Sequence, residues 1–277
     1  MGKYLNWNNE ENSKYLEKNF PELFFVNDYE VRGFIHFSAR HQHGTNIVQC
    51  GITSKDSLEI YYQIKIVLPS EDNVFPSVYT QGDSIERLMQ KWDITCRADV
   101  HTYPNNKACL CPPPEELLMV RNNIDFITLV ENYIIPYYYQ ITYFEKYGKW
   151  PFVNYSHGPA AIFEYYLRSI NYSPSISVLL RDCIDSLLRF DISMDSPIGQ
   201  LLSQVGTFSF KKNAKCFCGS NKKFIKCHRK LYCENRTICR ETITGLVQLY
   251  VDSKKNGIDL PKIIISMFEA NKNRASK

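Results

Sequence analysis

The 277-residue chain has no apolar run suited to crossing a membrane. A spanning helix needs about 20 consecutive apolar residues. The most apolar long stretch, FITLVENYIIPYYYQITYF, is interrupted by Glu131, Asn132 and Pro136. The N-terminal segment, MGKYLNWNNEENSKYLEKNF, is polar and acidic and has no apolar centre of the kind a signal peptide carries. No internal repeat or low-complexity tract is present. These absences lead to the expectation of a soluble, cytoplasmic protein. They also change how the ten cysteines are read. In a chain of this length without a leader, thiolate chemistry and metal binding are expected ahead of a disulfide framework.

What is present is ordinary globular material. Hydrophobic residues make up 44% and charged residues 22%, enough apolar mass for a core. At about 150 residues per domain, the length suggests about two domains. The net charge of +4 hides an asymmetry. Residues 1–210 carry 17 Lys and Arg against 24 Asp and Glu, whereas residues 211–240 carry 10 against 1. A small basic module thus sits near the end of an acidic chain.

The period of the apolar residues changes along the chain. A short helix is expected over 10–20, and PELFFV opens a loop or strand. VRGFIHFSAR and SLEIYYQIKIVLP alternate or are rich in β-branched and aromatic residues, which predicts strands. NVFPSVYT is shorter and carries Pro76, which suits an edge strand. About 35 residues then read as irregular, and stretches that long are uncommon unless functional. From Asn122 the spacing of Phe126, Leu129, Val130, Tyr133 and Ile134 predicts a helix that Pro136 ends or kinks. Ser156, Gly158 and Pro159, then Ser173 and Pro174, mark two further helix starts. Amphipathic helices are expected near 241–253 and 260–270. Strands followed by helices predict an α+β fold.

The basic segment contains CFCGSNKKFIKCH. Cys216, Cys218, Cys227 and His228 supply three thiolates and one imidazole, a complete tetrahedral set for Zn2+. A closed set leaves no position for water, so the expected role is structural. Gly219 permits a sharp turn after the first pair. Lys222, Lys223 and Lys226 favour the deprotonated thiols. Cys233 and Cys239 lie beyond the set and are read as packed or free thiols. The spacing resembles the SEC-C motif, the zinc module at the C-terminus of the SecA translocation ATPase and of many bacterial proteins. The basic patch has few aromatics beyond Phe217 and Phe224, so charge balance at zinc is the expected explanation and nucleic acid is not an expected partner there.

The irregular stretch holds HTYPNNKACLCPPPEE. Cys109 and Cys111 stand one residue apart, His101 precedes them, and Pro112, Pro113 and Pro114 stiffen the exit. A thiolate nucleophile needs exposure, a lowered pKa and oxyanion donors. Asn105, Asn106 and backbone amides are the candidate donors, and His101 a candidate for orienting the loop. The order of elements and motifs here, more than the letters, resembles the ubiquitin-conjugating enzymes, specifically their divergent bacterial relatives. Those run helix, four-stranded meander, Pro-rich turn, His-Pro-Asn, Cys-Leu, helix. VFPS stands at the Pro-rich turn, followed by HTYPN and then Cys109-Leu110. The resemblance covers about residues 1–145. It departs from the family where Thr102 and Tyr103 split His101 from Pro104-Asn105, and where the cysteine follows the histidine by only eight residues. The counterpart of the family's asparagine is therefore open among Asn105, Asn106 and Tyr103.

The resemblance implies a UBC-like domain over 1–145, a helical extension over 146–210, a zinc module over 211–240 and a helical tail over 241–277. It implies that Cys109 carries a modifier as a thioester and passes it to a lysine or other amine. The partners would be an activating enzyme, a ubiquitin-like modifier and a target. Such bacterial relatives occur in antiphage operons, where the target can be a nucleotidyltransferase. Three rival readings stand beside it. Cys96, His101, Cys109 and Cys111 form a second Cys₃His set by type. Cys109 paired with His157 or His43 would suit a cysteine hydrolase. The broken His-Pro-Asn element suits an inactive scaffold. The HQH pair His41 and His43 is expected to be a solvated turn before Gly44.

Overall fold

The computed structural model describes residues 6–42, 45, 47–52, 54–69, 74–152, 154–155, 158–190, 213, 222–226, 236–260, 262 and 265. It is an α+β structure that divides into two compact units. One comprises residues 1–111 and 115–154, the other 112–114 and 155–277.

The first unit opens with helix α1 (Glu10–Asn19), capped by the Asn9 side chain, which accepts from the Asn12 N–H. An antiparallel sheet follows, made of β1 (Leu23–Asn27), β2 (Glu30–His41), β3 (Val48–Cys50), β4 (Leu58–Val67) and β5 (Ser77–Thr80). Its order is β1-β2-β4-β5, with the short β3 pairing on the end of β2. Alternation fixes the register. On β4, Leu58, Ile60, Tyr62, Ile64 and Ile66 turn inward, while Glu59, Tyr61 and Gln63 face out. A slip of one residue would exchange the two sets. Each inward aliphatic contributes about 1.5–3 kcal/mol by burial. Gly33 is required where β2 passes the start of β1. Its φ is +137°, and any Cβ would collide with the Glu22 carbonyl.

The inward face is covered by the helical run from Phe126 to Tyr147. This comprises α4 (Phe126–Leu129), a π-helical turn (Val130–Ile134) and α5 (Ile135–Tyr147). Tyr138 packs on Tyr62 with centroids 4.9 Å apart, and Phe126 meets Phe25 and Trp7. Of the two outcomes expected at Pro136, an end or a kink, the helix does not end but is locally distorted. Proline removes one i→i−4 bond. Here the turn ahead of it is widened, and Ile135 N–H bonds to the Val130 carbonyl.

The stretch after β5 is also more ordered than its letters suggested. It contains α2 (Ser84–Lys91), a 3₁₀ turn (Arg97–Val100), a tight hairpin and α3 (Pro113–Arg121). On α2, Ile85 and Leu88 are buried one turn apart. Pro113 opens α3, where its missing N–H costs nothing, so the proline run starts a helix as well as stiffening a loop exit.

The second unit contains α6 (Pro159–Ser169), α7 (Ile176–Leu188) and α8 (Arg236–Lys255). Ile162, Phe163, Tyr166, Leu180, Cys183, Leu187 and Leu249 form its core. Gly245 lets α8 pass the Phe163 carbonyl of α6 at a distance no Cβ would allow. The buried Asp252 carboxylate accepts from Tyr166 Oη and Gln248 Nε2, both at 2.8 Å. Among the described residues, no helix is long and apolar enough to cross a membrane.

Candidate functional site

The site is a hairpin bonded onto the free edge of β5. Ala108 N–H donates to the Val78 carbonyl at 2.7 Å, and Thr80 N–H donates to the Asn106 carbonyl at 3.0 Å. Tyr79 therefore lies opposite Lys107, and within the hairpin Thr102 lies opposite Ala108. The loop is Pro104-Asn105-Asn106. Tyr103 N–H donates to the Lys107 carbonyl at 2.8 Å, and Asn106 N–H to the Tyr103 carbonyl at 3.1 Å. Asn106 sits at φ +61°, the left-handed position that ends a three-residue hairpin loop and that asparagine tolerates well. Proline suits the first loop position because its φ is already set.

Below the hairpin, the Thr102 hydroxyl donates to the Val100 carbonyl and lies 2.9 Å from Tyr137 Oη. Thr80 Oγ1 lies 3.1 Å from Tyr138 Oη. Two tyrosines of α5 thus fasten β5 and the hairpin from inside, with their hydroxyls satisfied. Outside, Arg97 donates to both the Glu86 carboxylate and Asn106 Oδ1, and Asn106 Nδ2 reaches Glu86 at 3.4 Å. Burial raises the Glu86 carboxyl, but the bond and charge of Arg97, a backbone N–H and the Asn106 amide together outweigh it and hold the group below its ordinary value. Helix α2 and the 3₁₀ turn therefore clamp the loop tip.

This frame separates the two thiols. Cys109 is half-buried, and its N–H donates to the His101 carbonyl at 2.8 Å. Cys111 is only 8% exposed. The Cys109 Sγ lies 4.0 Å from Tyr103 Oη. Burial pushes the Cys109 thiol up to about 11; Tyr103 and the Lys107 charge pull it down, and Glu116 adds to the rise. Burial, then Glu115 and Glu116, pushes Cys111 still further up. Burial likewise holds the Tyr103 hydroxyl protonated. The resting site at neutral pH is therefore a thiol next to a phenol.

The other candidates fall as follows. The His101 ring packs edge-on against Trp150 at 4.9 Å, and its backbone carbonyl is the group that holds Cys109. Asn105 is exposed at the tip, and its Oδ1 accepts from Lys107 N–H at 3.4 Å. Asn106 is committed to Arg97 and Glu86. The side chain brought next to the sulfur is Tyr103. Sequence reasoning weighed Tyr103 only as a replacement for asparagine and missed the Glu86–Arg97 clamp; an asparagine at the third loop position was the readable sign of a left-handed turn.

His41 is not a solvated turn residue. It ends β2, and its N–H and Nδ1 lie 3.1 and 2.9 Å from Tyr139 Oη. His43 and His157 lie outside the described residues, as do the expected zinc ligands Cys216, Cys218, Cys227 and His228 together with Cys233 and Cys239. Within that module the structure describes a 3₁₀ turn at Phe224–Lys226 with Lys222, Lys223 and Lys226 exposed. Among the described residues, no three of His, Cys, Asp and Glu converge on a metal position, so Cys96, His101, Cys109 and Cys111 do not form one site. Comparison with protein-family models, curated proteins and solved structures gives no match.

Proposed function

We propose that the chain is an acyl-transfer protein of the ubiquitin-conjugating kind, with Cys109 as the carrier. The observation that carries this reading is the placement of Cys109. It is a half-exposed thiol at the end of the hairpin strand that pairs with β5 and extends an antiparallel meander, with a phenol 4.0 Å from the sulfur. In the first step the Cys109 sulfur attacks a carboxyl group held as a thioester on an activating enzyme. The new S–C bond forms, the activating enzyme's thiol departs, and the Cys109 proton goes to that leaving sulfur or to solvent. In the second step an amine nitrogen attacks the acyl carbon, the S–C bond breaks, and the amine's proton returns to the Cys109 sulfur. Tyr103 Oη donates toward the sulfur or the oxyanion as charge develops. His101, through its carbonyl, and Asn106, through the clamp, position the loop; Asn105 at the tip is the exposed amide that a docked partner would meet.

The lowered pKa expected of a nucleophile is not found: burial raises the Cys109 thiol, which suits a carrier more than a hydrolase. A high-pKa thiol is a poor leaving group, so its thioester resists loss to water until a positioned amine attacks. A hydrolase would need a thiolate made by an adjacent base. The reading extends to an activating enzyme, a ubiquitin-like modifier and a protein target such as a nucleotidyltransferase in an antiphage pathway of the bacterial cytoplasm. It extends also to a structural Zn2+ held by Cys216, Cys218, Cys227 and His228. That donor set, three soft thiolates and an imidazole, fits zinc. A second reading, an inactive UBC-like scaffold, is favoured by one observation: the Asn106 amide is spent on Glu86 and Arg97.

The test is a Cys109→Lys variant incubated with an activating enzyme and modifier from the same source. A stable isopeptide adduct is expected on the Cys109→Lys protein, with none on Cys111→Lys. An adduct on Cys111→Lys alone would move the nucleophile, and none on either would leave the scaffold. Zinc content should be about one per chain.

A further inference from the structure

The outward face of the sheet carries a pattern of which the proposed acyl transfer uses only the last ring, Tyr103. The strand registers place Phe24 opposite Arg32, Arg32 opposite Lys65, Lys65 opposite Tyr79, and Tyr79 opposite Lys107. The hairpin adds Tyr103 beside Lys107. One row thus crosses the sheet from β1 to the hairpin, with aromatic and cationic side chains interspersed, and it ends 4.0 Å from the Cys109 sulfur. At about 4.8 Å per strand the row spans roughly 24 Å. Next to it, Phe34 and Tyr61 stack on the same face with centroids 4.9 Å apart.

The row is charged against its background. Residues 1–111 carry 11 Lys and Arg against 14 Asp and Glu, yet three of the cations stand in this line. Arg32 and Lys65 are directly opposite each other, a pairing that disfavours the sheet. Glu30 offsets Arg32. Lys65 and Lys107 have no carboxylate partner among the described residues; their ammonium groups lie over the rings of Tyr79 and Tyr103 at 5.1 and 5.8 Å. Phe24 is 58% exposed and Tyr103 40%.

We infer that this row binds single-stranded nucleic acid. An open antiparallel sheet with exposed rings offers surfaces on which unpaired bases stack, and interspersed cations meet the phosphates. An acidic protein segment would use the cations but would have no use for Phe24, Tyr79 and Tyr103 as rings. The lysines that cover two of those rings are not an obstacle. A cation–π contact at an exposed site is weaker than base stacking, so the ammonium groups move to phosphate and free the ring faces. A strand seated here abuts the thiol and shields it. The basic residues of 211–240 are a separate candidate for the same ligand, and the experiment separates the two.

The test uses the full-length, zinc-supplemented protein and fluorescein-labelled oligouridylate and oligothymidylate about 12 nucleotides long. Fluorescence anisotropy should report binding whose log K falls with log salt at a slope of about −2, from about −0.7 for each of three phosphates. Lys65→Glu and Arg32→Glu should each weaken binding about tenfold and lower the slope, and Phe24→Ala should weaken it with the slope unchanged. Circular dichroism would check that each variant is folded. The ratio of the two oligonucleotides tells RNA from DNA as the natural source. Four results overturn the inference: no binding at low salt; equal binding of duplex; full competition by polyglutamate with Phe24→Ala silent; or loss only with Lys222→Glu, Lys223→Glu and Lys226→Glu while the row variants bind normally.

Discussion

The two faces of the sheet are built from the same strands under opposite rules. Along β4 the inward side chains are aliphatic or aromatic and buried, and the outward ones include Glu59, Tyr61, Gln63 and Lys65. The inward set determines register and stability, so its identities are constrained by packing. The outward set contributes little to stability and is free to carry chemistry. The hairpin obeys the same division. Thr102 and Ala108 turn inward and are buried, whereas Tyr103, Lys107 and Cys109 belong to the outward side. The candidate nucleophile thus lies on the outward side, next to Tyr103 at the end of the row, with an inward neighbour on each hairpin strand.

Breaking the inward face should have the largest effect. Ile64 is 1% exposed, and Ile64→Ala should cost about 2–5 kcal/mol, read as a lowered urea midpoint. Gln63→Ala, one residue away and outward, should stay within about 0.5 kcal/mol. Equal losses at the two positions would sink the division of faces. Thr102→Val comes next. It strips the partner from the buried Tyr137 hydroxyl and should cost about 1–3 kcal/mol, while the alkylation rate of Cys109 rises as the hairpin loosens. An unchanged midpoint would mean that the hairpin stands without its inner fastening.

How much of this was readable follows the same line. β2 and β4 were legible because alternation is a property of neighbouring residues, and α1 because its acidic first turn and cap are local. Helix α2 was not: eight residues with two buried apolar positions and no side-chain cap bond give a weak signal until a sheet is there to cover. At Pro136 an end and a kink could not be told apart, because proline's cost was absorbed by a π-helical turn that letters do not announce. Cys109 was singled out by its order in the chain. Its phenolic neighbour and the clamp from Glu86 and Arg97 were not, since three separate segments must fold to bring them together. The outward row is the extreme case. Phe24, Arg32, Lys65, Tyr79 and Lys107 come from five segments and align only once registers are known.

A pH scan sharpens the contrast between the two thiols. Cys109 is raised to about 11 from an ordinary 9, so its neutral form is favoured by folding. That contribution is whole below pH 9 and is lost as pH rises through about 11. Alkylation by iodoacetamide should therefore climb about tenfold per pH unit up to about pH 11. Tyr103→Phe removes a donor to the thiolate and should move the midpoint upward; Glu116→Gln should move it downward. A plateau near pH 8 would show a thiol that burial does not restrain. Cys111, raised further and buried, should react only on unfolding.

The smallest stability effect belongs to the outer clamp. Arg97 touches Glu86 and Asn106 near the surface, and exposed ion pairs contribute about 0–1 kcal/mol. Arg97→Met should thus barely shift the midpoint. It frees the Asn106 Oδ1, however, and leaves the side chain of the left-handed Asn106 held by Glu86 alone. Exchange of the Asn106 and Tyr103 amides should quicken, and under the proposed acyl transfer the passage from a charged Cys109 should slow more than charging itself, because the second step of that scheme needs the loop in place around the incoming amine. The inner fastening by Tyr137 and the outer clamp by Arg97 would then be distinguished by what they protect: the one holds the hairpin to the fold, the other sets the shape of its tip. If Arg97→Met instead speeds transfer, the Asn106 amide is more useful free than clamped, and the clamp is a brake on the site.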